Sequence, residues 1–449
     1  MVLFPGLPST SSVARTCARS PRCRPVRLAV TERLEAPADL ASRPTTGHLR
    51  LPPRRFSGWS LLPRGAVAAG APVEEVRGVN ASTGSHRWAS SRGGGAGAGS
   101  RCFTAWVRYV VIGAGAIGGT IGGRLGQHGH EVVLVARGSH ADRLREKGLR
   151  LLTPTGPVEL NAPVANSPAD VVLTPDDVLV LAVKVQDAAG LLADWAAAPV
   201  GDSTAGHELP IVCAQNGVEG ERLALRWFRR VVGVCVFLPA THLEPGVVSS
   251  EGAPVSGGFV LGRYPRGRDE LVEQIAADLA GAGFATTVSD DVMAAKRGKL
   301  IDNTGNALDA VCRPEAGSDA LREEARAEGL RVLEAAGTPP LGRAEALPEL
   351  AEIGFHTAPV AGSERLGSSS WQSLHRGGSV ETDWLNGEVV RLGREHGVAT
   401  PVNEALQVLA DASVRGGLGP RAFGVQDVRA LVASVGGDQA AATGTHLRG

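Results

Sequence analysis

Lysine is nearly missing from this 449-residue chain: only Lys147, Lys184, Lys296 and Lys299 stand among its 46 basic residues. Arginine carries the positive charge everywhere else. Arginine does not give up its proton and lysine can, so chemistry is one place where a chain that defaults to arginine must keep lysine. Net charge is missing too, with 46 basic and 46 acidic residues. No global basic field therefore points to nucleic acid or a membrane surface. Runs of about 18 or more apolar residues are absent, which excludes an obvious membrane span. The six cysteines show no CxxC spacing. Neither a disulfide framework nor a zinc site is expected, and a cytoplasmic location fits. HExxH is absent, and so is GxSxG on a strand–turn–helix, so metal and nucleophile chemistry find no support. His356 and His375 are isolated and read as surface or packing residues, and Trp371 and Trp384 as core aromatics.

The zero charge hides an asymmetry. Residues 1–106 hold fifteen arginines and five acids, which leaves the remainder acidic by about ten. This first segment is rich in Pro, Ser, Arg and Gly, as in Arg22-Cys23-Arg24-Pro25 and Arg92-Gly93-Gly94-Gly95. Without hydrophobic periodicity it has little apolar surface to offset the cost of ordering, so it reads as disordered. Its composition suits a transit peptide. It equally suits an upstream reading frame in a GC-rich genome, with Val107 as the true start, and this second reading is preferred. The sequon Asn80-Ala81-Ser82 is then a chance match.

From Arg108 the pattern changes. Tyr109–Ile112, Glu131–Ala136, Val178–Val183 and Pro210–Ala214 are short apolar runs that read as buried strands. Helical stretches over Ala116–Gly129, Gln186–Ala197 and Glu219–Phe228 alternate with them. Alternation of this kind predicts an α/β fold with a parallel, doubly wound sheet. Val231–Arg263 adds mixed or antiparallel strands, followed by a helix over Asp269–Ala282 and a last strand at Ala285–Val288. Beyond Ser289 the strands stop. Ser289-Asp290-Asp291 can cap a long helix reaching about Cys312, and Ser318–Ala336, Val380–His396 and Val402–Val414 are further helices. The expected organisation is a Rossmann domain over 107–288, an all-helical domain over 289–435 and a flexible tail over 436–449.

Gly113-Ala114-Gly115-Ala116-Ile117-Gly118 fits GxGxxG directly after a strand and before a helix, the context that gives the motif meaning. Gly113 permits the tight turn, Gly115 lets backbone approach a pyrophosphate, and Gly118 lets helix and strand pack closely. The helix N-terminus then offers free N–H groups to the phosphates. At the end of the second strand, where an acid would bind the ribose of NAD, stands Arg137. A carboxylate would repel a 2′-phosphate and a guanidinium can fork onto it, so the expected cofactor is NADP(H).

Lys299, Asn303 and Asn306 fall at i, i+4 and i+7, one stripe of a helix. A cationic donor with two amides suits a substrate bearing a carboxylate and a carbonyl. A solvated polar face is the bland reading. Leu300, Ile301, Ala307 and Leu308 beside the stripe argue for burial, where polar groups need partners and a ligand is a natural one. Lys296 lies one turn earlier and off this stripe, and is expected to be dispensable for turnover.

These segments together resemble the ketopantoate reductase family, whose members reduce 2-dehydropantoate to pantoate with NADPH during pantothenate synthesis. The resemblance runs from about Arg108 to about Ala410. It rests on the glycine loop, Arg137, Leu181-Ala182-Val183-Lys184, Gln215-Asn216-Gly217-Val218 and Lys299-Leu300-Ile301-Asp302-Asn303. It continues through Ser369, Trp371-Gln372 and Glu381-Thr382-Asp383-Trp384-Leu385-Asn386-Gly387. It implies Lys299 as general acid and Glu381 pairing with Lys299 or a substrate hydroxyl. By the same resemblance Ser369, Asn303 and Asn306 would hold substrate, and Lys184 and Asn216 would position the nicotinamide. Two departures fall in the substrate pocket. Asn306 follows Asn303 by three residues where the family commonly has four, and Leu366 stands where an Asn is usual. They leave the identity of the 2-oxo acid open, because fold does not fix substrate. A related NADP-dependent oxidoreductase for another 2-oxo or hydroxy acid and a non-catalytic NADP-binding regulator are the alternatives. A small-molecule substrate is the expected partner, with neither nucleic acid nor membrane, and a homodimer is left open.

Overall fold

The computed structural model describes residues 107–364 and 366–444. The readings placed on residues 1–106, among them the sequon and Cys17, Cys23 and Cys102, lie outside it.

Eight strands form the main sheet: β1 (Arg108–Ile112), β2 (Glu131–Val135), β3 (Val164–Ala165), β4 (Asp177–Leu181), β5 (Pro210–Cys213), β6 (Arg230–Phe237), β7 (Gly258–Arg263) and β8 (Ala285–Val288). Their spatial order is 3-2-1-4-5-6-7-8. Strands β3 to β6 pair in parallel through β1 and β2, while β7 runs antiparallel to β6. The order reverses at β1, and ligands of such sheets bind beyond the strand carboxyl ends at that point. Alternation along a strand explains why both faces are covered. Tyr109 and Val111 of β1 enter one core cluster, whereas Val110 and Ile112 enter the other. All four are at most 1 % exposed, so each contributes on the order of 1.5–3 kcal/mol of burial.

Helix α1 (Ala116–Gln127) follows β1, α2 (Gly138–Lys147) follows β2, and α3 (Ala188–Ala196) follows β4. A second, four-stranded sheet joins Leu149–Thr153 and Gly156–Leu160 to Ala240–Glu244 and Val247–Ser250. Helix α4 (Glu270–Gly281) is capped by Asp269, whose carboxylate accepts from the Val272 N–H at 3.0 Å.

The second half is helical. Helix α5 (Val292–Val311) starts on Asp291, which accepts from Ala294 N at 3.0 Å, and α6 (Ser318–Ala335) packs along it. Then come α7 (Ser369–His375), α8 (Asn386–His396), α9 (Pro401–Gly416) and α10 (Val425–Gly444). Their shared core joins Leu308, Leu321, Leu374, Leu406, Leu409 and Val428. The expected helix over Val380–His396 starts later: Thr382–Trp384 is a single 3-10 turn, and Leu385, at φ −115° and ψ −83°, breaks the path before Asn386. At the other end α10 runs through position 436, past the expected start of the tail. Among the described residues no helix is long and apolar enough to cross a membrane. Cys213, Cys235 and Cys312 are buried free thiols.

Candidate active site

A cleft of about 890 Å³ opens beyond the carboxyl ends of β1, β4 and β5 and is closed on its other side by α5 and α7. The glycine loop forms one end. Gly113 sits at φ +101°, and a Cβ there would come 2.6 Å from Val183 Cγ1. A Cβ on Gly118 would collide with the Gly113 carbonyl, while one on Gly115 would meet nothing within 4 Å. Gly113 and Gly118 are thus required by packing, and Gly115 by none of the protein. Above Gly115 the space is open, and the first turn of α1 has no side-chain cap, an arrangement that leaves helix N–H groups available to an anion. Gly113, Gly115, Ala116 and Ile117 line the cleft, whereas Ala114 and Gly118 are buried beneath it.

Arg137 stands exposed at the end of β2, just before α2 and outside the cleft lining. Its guanidinium has no protein partner among the described residues. Three residues on, His140 Nε2 lies 2.8 Å from the Ala114 carbonyl, and its Nδ1 accepts from Gly246 N at 2.9 Å. This pattern makes Nε2 the protonated nitrogen. His140 thereby ties the turn that bears Arg137 to the glycine loop. Burial and the neighbouring His140 and Arg376 hold His242, which lines the cleft, down at about pKa 4 and so neutral. Nothing in the sequence pattern pointed to these two histidines.

Lys184 follows β4 and lines the cleft. Its Nζ donates to Ser373 Oγ at 3.0 Å and to the Ser379 carbonyl, so it fastens the sheet to the α7 region. Beside it, the Gln215-Asn216-Gly217 turn is fixed from several sides. Gln215 Nε2 donates to Val183 O at 2.7 Å, and Lys296 Nζ donates to Gln215 O at 2.9 Å. Gly217 adopts φ +75°, with a Cβ position 2.9 Å from the Trp384 carbonyl, so only glycine fits after Asn216. Lys296 also donates to Glu221, in an ion pair whose side chains are 2 % and 0 % exposed. Lys296 thus holds a buried charge pair and a cleft turn, a structural role that its place off the Lys299 stripe did not suggest.

Lys299, Asn303 and Asn306 all reach the cleft from α5, while Leu300, Ile301, Ala307 and Leu308 are buried beside them. Lys299 Nζ donates to the Val236 carbonyl and sits 5.4 Å from the Phe237 ring centroid. Desolvation lowers its pKa from the ordinary 10.5, despite weaker opposing pulls from Cys235 and Glu381. Asn306 Nδ2 donates to Asn303 Oδ1 at 3.3 Å, which leaves Asn303 Nδ2 buried and without a partner. An orphaned buried donor is costly unless a ligand satisfies it. Burial raises the pKa of Glu381, opposed first by Lys184, then by hydrogen bonds from Val185 N–H and the Asn216 amide, and only then by Lys299. Its main electrostatic partner is Lys184 and not Lys299.

Ser369 is exposed at the start of α7 and lines the cleft. The preceding Ser368 caps α7, accepting from Trp371 N at 3.2 Å and donating to Asn306 O at 3.1 Å. Leu366 is 51 % exposed and outside the lining. Asn386, though part of the sequence motif, is fully buried; it donates to Thr304 O at 3.0 Å and to Asn403 Oδ1 at 2.9 Å. It braces α5 against α9 and does not face the cleft. Arg343, Phe355, Thr357 and Arg376 line the cleft but carried no signal in an arginine-rich sequence.

The sequence profile of the ketopantoate reductase PanE/ApbA family matches residues 109–266, and that of its C-terminal domain matches 291–413. A 2-dehydropantoate 2-reductase of Halobacterium salinarum is 31% identical over 325 residues, covering 69% of this chain and 100% of that protein. The crystal structure of a PanE/ApbA family ketopantoate reductase from Ralstonia eutropha superposes with a TM-score of 0.58 at 27% identity, over 69% of this chain and 99% of that one. A D-mandelate dehydrogenase solved with NADH and anilino(oxo)acetate shares the fold, at a TM-score of 0.57 and 22% identity over 69% and 99%.

Proposed function

This chain belongs to the ketopantoate reductase family, and on that premise we propose that it is an NADPH-dependent reductase of a small 2-oxo acid, with 2-dehydropantoate as the substrate. The observation that carries this reading is the pairing on α5 of Lys299, a proton donor with lowered pKa, and Asn303 Nδ2, a buried donor with no protein partner.

NADPH, when bound, supplies the hydride for the keto carbon. The chain does the rest. Gly115 and the first turn of α1 would hold the pyrophosphate, and Arg137 would hold the 2′-phosphate. Lys184 and Asn216, locked to Ser373 and Glu381, set the nicotinamide end of the cleft. Lys299, oriented by the Val236 carbonyl, donates its proton to the carbonyl oxygen as negative charge develops there. Because desolvation already disfavours its charged form, the transfer is easier than from a solvated lysine. Asn303, Asn306 and Ser369 bind the polar substituents of the substrate. Glu381 keeps Asn216 in place and balances Lys184.

A different 2-oxo or 2-hydroxy acid is the second reading. It is favoured by Leu366, an exposed apolar residue outside the lining where family members carry Asn. A non-catalytic NADP-binding role has no use for an unpaired amide aimed beside Lys299. The test is NADPH oxidation by the purified protein across a panel of 2-oxo acids. The proposal expects 2-dehydropantoate to give the highest kcat/KM. Preference for another 2-oxo acid supports the second reading, and no oxidation with any of them overturns both.

A further inference from the structure

We propose that Arg343 is the anchor for the substrate's carboxylate, so that the cleft takes anionic 2-oxo acids with the carboxylate beyond Lys299 and the substituent toward Asn303 and Asn306. The assignment rests on the reductase reading above and divides its binding roles.

Four permanent or potential cations of lysine and arginine line the cleft. Lys184 donates to Ser373 and to the Ser379 carbonyl, Arg376 donates to His242 O at 3.3 Å, and Lys299, turned on the Val236 carbonyl, is the group assigned to the keto oxygen. Arg343 alone among them has no protein partner in the described residues. Arg343 is an exposed residue at the cleft margin, but the backbone that carries it is held in place. Leu341 N donates to Ala294 O at 2.8 Å, and the Leu341 carbonyl packs so closely on Gly298 that a Cβ there would collide with it. The chain leading to Arg343 is therefore seated on α5 one residue before Lys299. Ala346 and Leu347, 3 % and 1 % exposed, anchor the following turn in a cluster with Cys235 and Ala295. Backbone on both sides of Arg343 is thus fixed while its guanidinium is free to reach into the cleft.

The chemistry favours this division. Asn303, Asn306 and Ser369 are neutral donors suited to a hydroxyl or carbonyl. A carboxylate resting on Lys299 would stabilise its ammonium form and blunt it as an acid. A separate guanidinium accepts the carboxylate in a planar two-point fork and leaves Lys299 for the keto oxygen. Phe237 and Phe355, which pack against one apolar cluster, also line the cleft and offer an apolar surface beside such a pair.

Isothermal titration of the NADPH-loaded full chain with oxamate, an anionic 2-oxo acid isostere, and with its neutral ethyl ester tests the assignment. Arg343→Ala is expected to weaken oxamate by about ten-fold or more and leave the ester within about two-fold. Arg343→Lys should recover part of the oxamate loss, since it restores charge without the fork. Unchanged oxamate affinity in Arg343→Ala, with wild-type binding intact, overturns the role of Arg343 and leaves the reductase reading standing. Equal weakening of acid and ester overturns the carboxylate assignment. A wild-type protein that binds oxamate in no cofactor state and reduces no 2-oxo acid would remove both.

Discussion

Replacing Lys296 by methionine should unfold the protein at distinctly lower temperature. Lys296 and Glu221 are 2 % and 0 % exposed as side chains, and Glu221 Oε2 already lacks a hydrogen-bond partner. Lys296→Met strips Oε1 of its one cationic donor among the described residues and leaves a carboxylate uncompensated in the core. Breaking one half of a buried ion pair costs about 3–5 kcal/mol. At about 2 °C per kcal/mol for a protein of this size, Tm should drop by roughly 6–10 °C in differential scanning calorimetry. The paired variant Lys296→Met with Glu221→Leu removes both charges and should recover most of that loss, because a well-packed apolar pair is often no worse than a buried salt bridge. One deficit should persist. The Gln215 carbonyl still lacks the donor that holds it at 2.9 Å, about 1 kcal/mol of net hydrogen bond. Its loosening next to Asn216 should lower kcat/KM even where Tm is restored. A single variant melting within about 2 °C of wild type, or a double variant as unstable as the single, refutes this reasoning.

Three further outcomes follow from the cofactor end and the titrating groups. Arg137→Ala should raise KM for NADPH by about ten- to one-hundred-fold and leave KM for NADH nearly unchanged, as the loss of one charged hydrogen-bonding partner predicts; steady-state kinetics with both cofactors would show equal effects if the assignment were wrong. Gly115→Ala should keep its Tm, since its Cβ meets nothing within 4 Å, yet weaken NADPH binding, whereas Gly118→Ala should lower Tm because its Cβ runs into the Gly113 carbonyl. The pH–rate profile should be narrower than model side chains suggest. Turnover requires protonated Lys299, so it falls as pH rises through a pKa below 10.5, and it requires anionic Glu381, so it falls as pH drops through a pKa above 4.5; flat rates across that window would contradict both assignments.

Periodicity made the fold readable. The runs ending at Ile112, Val135, Leu181 and Cys213 are β-branched and apolar on both faces, and only a parallel sheet covered on both sides buries such strands. The α5 stripe was equally legible, because positions 299, 303 and 306 fix one helical face whatever packs around it. What escaped was set by distant neighbours. Leu385 breaks the Val380–His396 helix because Asn386 must reach Thr304 and Asn403, contacts 82 and 17 residues away. Lys296 looked like a spare polar residue, since its partner Glu221 lies 75 positions upstream on a different element. Arg343 was invisible for a compositional reason: where arginine is the default cation, one that borders a cleft carries no distinguishing mark. The tie from His140 to the glycine loop likewise depends on a hydrogen bond to Ala114, 26 residues earlier.

The central claim is that Lys299 supplies the proton in reduction of a 2-oxo acid. Single-turnover NADPH oxidation by Lys299→Ala, alongside direct measurement of NADPH binding, tests it most directly. The account predicts a rate about 10²–10⁴-fold below wild type, with the dissociation constant for NADPH nearly unchanged. Lys299→Arg should remain as slow, because guanidinium keeps the charge but not the transferable proton. A Lys299→Ala protein that turns over within a few-fold of wild type would contradict the account.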